Sequence, residues 1–272
     1  MPLILTPRSL DRGPLSIDLA GITPQITREL GREAIERLPI RADERGARLG
    51  DLFTVACDAG DGTIECRGDF SRVHRVGAGM TSGRIDVAGD VGRHAGEAMS
   101  GGVLSIAGSA GDWLAAEMTG GEVLVMGSAG DNVAAALPGS TFGMRGGLVV
   151  VMGSVGVLAG ARMRRGMLAI GGDCGAAAGF EMRAGTVVIA GRVGRHAGLG
   201  MRRGSVIALA DRPTVPATFR RGSLWQPAFI PMLLRRLERA GFTAARPLPP
   251  GPWQQWHGDT LTGSRGELLF PA

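Results

Sequence analysis

Residues 147–203 read GLVVVMGSVGVLAGARMRR, GMLAIGGDCGAAAGFEMRA and GTVVIAGRVGRHAGLGMRR, one nineteen-residue pattern stated three times in succession. Toward the N-terminus the pattern recurs as GRIDVAGDVGRHAGEAMSG from Gly83 and GVLSIAGSAGDWLAAEMTG from Gly102, and in a copy from Gly121 with seven extra residues near Pro138. Degenerate copies start at Gly62 and Gly204. The starts Gly83, Gly102, Gly121, Gly147, Gly166, Gly185 and Gly204 are spaced 19, 19, 26, 19, 19 and 19, so seven to eight units fill residues 62–222. A fixed period of this size marks a solenoid, in which no unit buries its apolar face alone.

The composition of one unit selects the solenoid. Counting from the opening glycine, positions 3 and 5 are aliphatic (Ile85 and Val87, Val149 and Val151, Val187 and Ile189), the alternation of a short strand with one face inward. Two helices do not fit in nineteen residues with glycine at positions 1, 7 and 10, because glycine costs about 1 kcal/mol against alanine inside a helix. Glycine suits corners, and Gly156 and Gly175 at position 10 are read as corner residues with positive φ. The expected fold is all-β, a right-handed parallel β-helix with one coil per repeat, since the hexapeptide rhythm of left-handed forms is missing. Eight coils stacked at the strand spacing make a rod of roughly 34 Å.

Stacking turns each repeat position into a row. Met80, Met99, Met118, Met144, Met163, Met182 and Met201, followed by Phe219, form one such row; flexible thioethers suit a narrow core. The next residue along gives Arg145, Arg164, Arg183, Arg202 and Arg220, a row expected outside the core. Like charges about 5 Å apart repel by roughly 0.8 kcal/mol per pair in water. Such a row wants an anion, and acidic neighbours such as Glu181 are the local candidates. His94 and His196 share one repeat position, each within GRHAG, but sit five coils apart and cannot share a metal ion.

All thirty basic residues are arginine, and the net charge is +5 with a pI of about 10.6. Residues 147–222 carry eleven arginines against three acidic residues, whereas residues 61–146 carry six against ten. No groove-reading motif or interleaved stacking aromatics accompany that basic half, so nucleic acid is not the expected partner. Cys57, Cys66 and Cys174 lack the spacing of a zinc site or a disulfide framework. No signal peptide and no run of eighteen apolar residues is seen, so no membrane contact is expected and the compartment is read as cytoplasmic. HxH, HExxH, GxSxG and GxxxxGK[ST] patterns are all missing, so neither catalytic residues nor a metal or cofactor bound by this chain is expected. A β-helix polysaccharide lyase would need a lasting acidic face, yet Asp86 is followed at position 4 by Ser105, Leu124, Val150 and Ala169.

The flanks divide the chain into an N-terminal cap or docking region at 1–61, the repeat domain at 62–222, and a C-terminal helix, proline-rich linker and tail at 223–272. Thr23-Pro24, then Ile26, Leu30, Ile35 and Leu38, predict one or two short helices ended by Pro39. Phe229, Leu233, Leu234 and Leu237 predict an amphipathic helix with Arg235, Arg236 and Arg239 opposite, stopped by Gly241. Trp253, Trp256 and Phe270 lie in a tail too short for its own core and must bury against the rod or a partner.

The G-x-[ILV]-x-[IV]-x-G-x-x-G coil resembles the glycine-repeat domain shared by glutamate synthase large subunits and the C-subunit of formylmethanofuran dehydrogenases. The full plan, with LGDLF at 49–53, the coils, LLRRL at 233–237, HGD at 257–259 and GELL at 266–269, resembles that C-subunit over essentially the entire chain. Arginine without lysine looks bacterial, and the bacterial relative is the C-subunit of the formyltransferase/hydrolase complex of methylotrophs. The resemblance implies a non-catalytic scaffold, with chemistry on amidohydrolase-like and formyltransferase subunits that use tetrahydromethanopterin and a methanofuran-like carrier. It also supplies a ligand for the arginine row, the carrier's polyglutamate tail. A glutamate-synthase-type subunit and the C-subunit of a molybdenum or tungsten dehydrogenase stay open as alternatives.

Overall fold

The computed structural model describes residues 2–8, 14–56, 61–210, 212–243 and 251–272. The N-terminal part holds β1 (Leu3–Pro7), β2 (Ile17–Asp18), α1 (Pro24–Thr27), α2 (Arg32–Glu36), β3 (Pro39–Ala42), β4 (Arg45–Arg48), α3 (Leu49–Leu52) and β5 (Phe53–Ala56). The repeats contribute β6 (Thr63–Cys66), β7 (Val73–His74), β8 (Arg84–Val87), β9 (Val103–Ile106) and β10 (Glu122–Val125). They continue with β11 (Leu148–Val151), β12 (Met167–Ile170), β13 (Thr186–Ile189) and β14 (Arg203–Ala208). The chain ends with β15 (Arg220–Trp225), α4 (Phe229–Arg239), β16 (Trp253–Gly258) and β17 (Arg265–Pro271).

The protein is mostly β, with a large parallel-rich sheet and few helices. Thirteen strands run in the order β15-β16-β17-β14-β13-β12-β11-β10-β9-β8-β6-β1-β5. From β6 to β14 every pairing is parallel and in repeat register, so Ile64, Ile85, Leu104, Val123, Val149, Leu168, Val187 and Val206 form one inward row. A second parallel row of single bridges joins Phe70, Val91, Ala110, Ala129, Val155, Cys174 and Val193. The methionine row closes the core, with Met80, Met99, Met118, Met144, Met163, Met182 and Met201 each fully buried. Their fit depends on the opening glycines: a Cβ on Gly147 would sit 2.7 Å from the Gly121 carbonyl oxygen and 2.8 Å from the Met118 methyl. Gly147 also holds φ +93°, so sterics and backbone conformation demand glycine together.

Position 10 departs from expectation. Gly156 and Gly175 are outside the positive-φ residues. Their lack of a side chain serves close approach instead, since a Cβ on Gly175 would lie 2.7 Å from both the C and O atoms of Gly156 in the coil beneath. Left-handed backbone recurs instead at positions 12, 14 and 16, and at position 12 His94, Trp113, Asn132, Leu158, Ala177 and His196 have φ of 63, 63, 61, 61, 63 and 64°. Each such residue costs about 1 kcal/mol. Inter-coil hydrogen bonds offset this, as where the Trp113 N–H donates to the Asp131 carbonyl at 2.8 Å. Position 8 adds a side-chain row: Asp90, Ser109, Ser128, Ser154 and Asp173 each accept from the N–H of the same position one coil on, at 2.7–3.1 Å.

The ends of the stack are covered. β1 lies parallel to β6, and β5 lies antiparallel to β1. α1 and α2 match the two short helices, with Pro39 opening β3. At the other end β17 runs parallel to β14, and β16 and β15 follow antiparallel. Trp253 and Phe270 are buried, and Trp256 packs against the core. α4 buries Ile230, Leu234 and Leu237, not Phe229, against the outer face of β11–β14 (Leu148, Val150, Ala169, Val188 and Ile207). Phe229 is exposed. Gly241 at φ +92° stops the helix as its sequence indicated. The proline-rich stretch at 244–250 and Cys57 lie outside the described residues.

Candidate functional site

The corner after each methionine presents the arginines. The N–H groups of Arg145, Arg164, Arg183 and Arg202 donate to the carbonyls of Met118, Met144, Met163 and Met182 at 2.7, 2.8, 2.8 and 2.7 Å. These four side chains therefore rise from consecutive coils at one position. Arg145, Arg164 and Arg202 are exposed and Arg183 is half-buried. Arg220 is not the fifth rung. It lies in β15 opposite His257, and the N–H that reaches the Met201 carbonyl belongs to Asp259, at 3.1 Å. The coil from Gly204 does not close on its own sequence; the tail returns to fill the rung.

None of the four is in an ion pair among the described residues. Glu181, the expected local counter-charge, accepts instead from Arg162 Nε at 2.8 Å. Arg162 Nη1 also donates to the Ser140 carbonyl at 3.0 Å, pinning the inserted loop across the corner. The loop's Phe142 ring lies under two rungs, 5.1 Å from Arg164 Cζ and 4.7 Å from Arg183 Cζ. Cation–π attraction at exposed sites contributes about 0.5–1 kcal/mol, comparable to the repulsion of one adjacent pair. The insertion thus orients two guanidiniums without neutralising them. Sequence reasoning left Phe142 unassigned; the insertion point at Pro138 was the only signal.

The shared repeat position of His94 and His196 does not make one site. His94 stacks on Trp113, with centroids 6.1 Å apart and planes 6° apart. Its Nδ1 lies 2.6 Å from Glu97 Oε2, at ion-pair distance but off the direction of a regular hydrogen bond. Arg75 Nη1 stands 3.4 Å from the other Glu97 oxygen. His196 is exposed. Among the described residues no three His, Cys, Asp or Glu side chains converge as metal ligands. Burial pushes the thiols of Cys66 and Cys174 up to about 12, with Asp86 adding to the effect at Cys66, so both are core groups.

His74 is tied to the fold through its unprotonated nitrogen, Nδ1, which accepts from the Arg93 N–H at 3.0 Å. Burial, then Arg93, lowers its pKa below the ordinary histidine value, with Asp18 opposing and His94 adding. The unfolded chain therefore takes up this proton first, near pH 6.5. The contribution of neutral His74 is complete above that pH and is lost as pH falls from there through the lower folded-state pKa. The denaturation midpoint should drop between pH 7 and 5, and His74→Gln should reduce the slope; equal slopes in both proteins would refute the assignment.

No protein-family model matches the chain. The C-subunit of the formyltransferase/hydrolase complex of Methylorubrum extorquens is 38% identical over 80 residues, 29% of this chain and 30% of that one. The C-subunit of the molybdenum-containing formylmethanofuran dehydrogenase 1 of Methanothermobacter thermautotrophicus is 35% identical over 97 residues, 35% of this chain and 24% of that one. These matches span less than a third of the curated relatives. The crystal structure of the Methylorubrum extorquens formyltransferase/hydrolase complex FhcABCD, solved with methylofuran, extends the likeness: 37% identity, TM-score 0.90, and 99% of each chain covered. The chain belongs to the C-subunit family of formyltransferase/hydrolase complexes. C-subunit identity agrees with the plan read from LGDLF, the coils, LLRRL, HGD and GELL. Among the described residues no helix is long and apolar enough to cross a membrane.

Proposed function

We propose that this chain is a non-catalytic scaffold subunit of a cytoplasmic formyltransferase/hydrolase complex in one-carbon oxidation. In that reading, amidohydrolase-like and formyltransferase partner subunits pass a formyl group from tetrahydromethanopterin to a methanofuran-like carrier and release formate. Residues 62–222 wind as a right-handed β-helix, residues 1–61 cap and dock it, and residues 223–272 close its other end. The observation that carries the reading is 37% identity over 99% of both chains with a chain of the complex solved with methylofuran. A core of methionine, valine and alanine behind glycine corners supports it, since such a core builds a stiff surface. Purification of the native protein followed by identification of the accompanying chains tests it. Amidohydrolase-like and formyltransferase chains are the expected result. A molybdenum enzyme, the partner suggested by the dehydrogenase match, or a glutamine amidotransferase would overturn it.

Within this reading, Arg145, Arg164, Arg183 and Arg202 guide the polyglutamate tail of the carrier. Guanidinium forks pair with carboxylates strongly at low ionic strength and weakly at high. Changing Arg164, Arg183 and Arg202 together to glutamine in the assembled complex should raise KM for the tailed carrier about tenfold, or about 1.4 kcal/mol. KM for a carrier without its tail should stay unchanged. Equal use of both carriers by mutant and wild type would show the row to be idle.

A further inference from the structure

At the C-terminal end the sheet stops at β15, which pairs with β16 on one side and, among the described residues, with no strand on the other. Five of its six residues are exposed. An open edge presents unpaired N–H and C=O groups and is a template for an extended chain. Apolar side chains are exposed on it and next to it: Leu224 is 53% exposed and Trp225 37%, and Phe229 of α4 38%. Trp225 and Phe229 already touch, with ring centroids 6.3 Å apart. Arg212, Arg220 and Arg221 are exposed along the same border, none in an ion pair among the described residues.

Next to the strand opens a cleft of about 370 Å³, lined by Arg212, Arg221, Leu224, Gln254, Trp256 and Phe270. Arg221 is held in place, its Nε donating to Gln254 Oε1 at 2.9 Å, while Gln254 Nε2 donates to the Gly222 carbonyl at 3.1 Å. Gln254 itself is 5% exposed. Trp256 contributes apolar ring surface to the wall beside Phe270. The cleft thus combines two guanidiniums with an apolar wall.

We infer that β15 is a docking strand for an extended, acidic segment of a partner subunit, which adds to the sheet edge and places a carboxylate side chain in the cleft between Arg212 and Arg221. The backbone edge selects an extended segment, the arginines select acidic residues, and Leu224 and Trp225, adjacent in the strand and so on opposite faces, select an apolar residue on each face. A second copy of this chain fits poorly, because its own β15 brings the same arginines to the contact. The inference rests on the proposed membership of a hetero-complex, but it can fail alone.

The test places p-benzoylphenylalanine at Leu224 in the assembled complex, with Met126, beside β10 and 51% exposed, as the control position. Irradiation should join Leu224's position to an acidic extended segment of a partner subunit. The double change R212E and R221E, checked for an unaltered melting temperature, should cut that adduct at least tenfold. An intact complex with no adduct, or an adduct to a second copy or to a basic or helical surface, overturns the docking strand and leaves the scaffold reading standing. A chain that purifies without partners overturns both.

Discussion

Gly175→Val is expected to destabilise the coil stack by about 3 kcal/mol and to lower Tm by about 6–12 °C in thermal unfolding followed by circular dichroism. The cost comes from translation between coils. A Cβ on Gly175 would lie 2.7 Å from the C and O atoms of Gly156 and 2.9 Å from the Val157 nitrogen. All three are backbone atoms, so no rotamer change relieves the contact. The coils would have to part where Gly175 N–H donates to the Val155 carbonyl at 3.0 Å and Val155 N–H donates to the Asp173 carbonyl at 2.9 Å. Gly46→Ala is the matched control, because nothing lies within 4 Å of its added Cβ and its φ is not positive; it should stay within about 0.5 kcal/mol of wild type. A valine variant melting with the wild type would mean that the coils are not packed at this spacing.

Gly175 also shows what sequence could and could not resolve. A nineteen-residue period fixes which residues stack, because every rung repeats the same local chain, and the methionine row and four arginines followed from counting alone. The same counting could not separate positive φ from close approach, since both demand the loss of a Cβ. Gly147 answers to both causes and Gly175 only to the second. Arg220 was misplaced because the final rung is filled by Asp259, 57 positions beyond Arg202, a contact that no local period encodes. The position-8 row was open to notice, as Asp90, Ser109, Ser128, Ser154 and Asp173 are all short acceptors at one repeat position. The border of β15 has no repeat signal at all; its open edge and the exposure of Leu224 and Trp225 emerge only from the fold.

Leu237→Asp should have the largest effect at the periphery, with the loss limited by the helix rather than by the charge. Leu237 is fully buried against the outer face of β11–β14. Burying an unpaired carboxylate there would cost several kcal/mol. The helix has an alternative of similar cost, which is to leave the sheet and, with Leu237 already replaced, forfeit the burial of Ile230 and Leu234, each contributing about 1.5–3 kcal/mol. The expected outcome is therefore a chain whose coils persist while α4 detaches. That would uncover Leu148, Val150, Ala169, Val188 and Ile207 as one apolar strip. Such a strip is far from neutral in water, unlike the equivalent outer face of β8, where Arg84 and Asp86 form an ion pair at 2.7 Å. Trypsin reads the difference, because Arg235, Arg236 and Arg239 are held in helical backbone in the native chain. Cleavage after these residues should accelerate at least tenfold in the variant, a shift of about 1.4 kcal/mol or more in the docking equilibrium. It should come with association of the uncovered strips while the far-ultraviolet signature of the coils is retained. Cleavage at the wild-type rate would show that α4 does not depend on Leu237 for its place on the sheet.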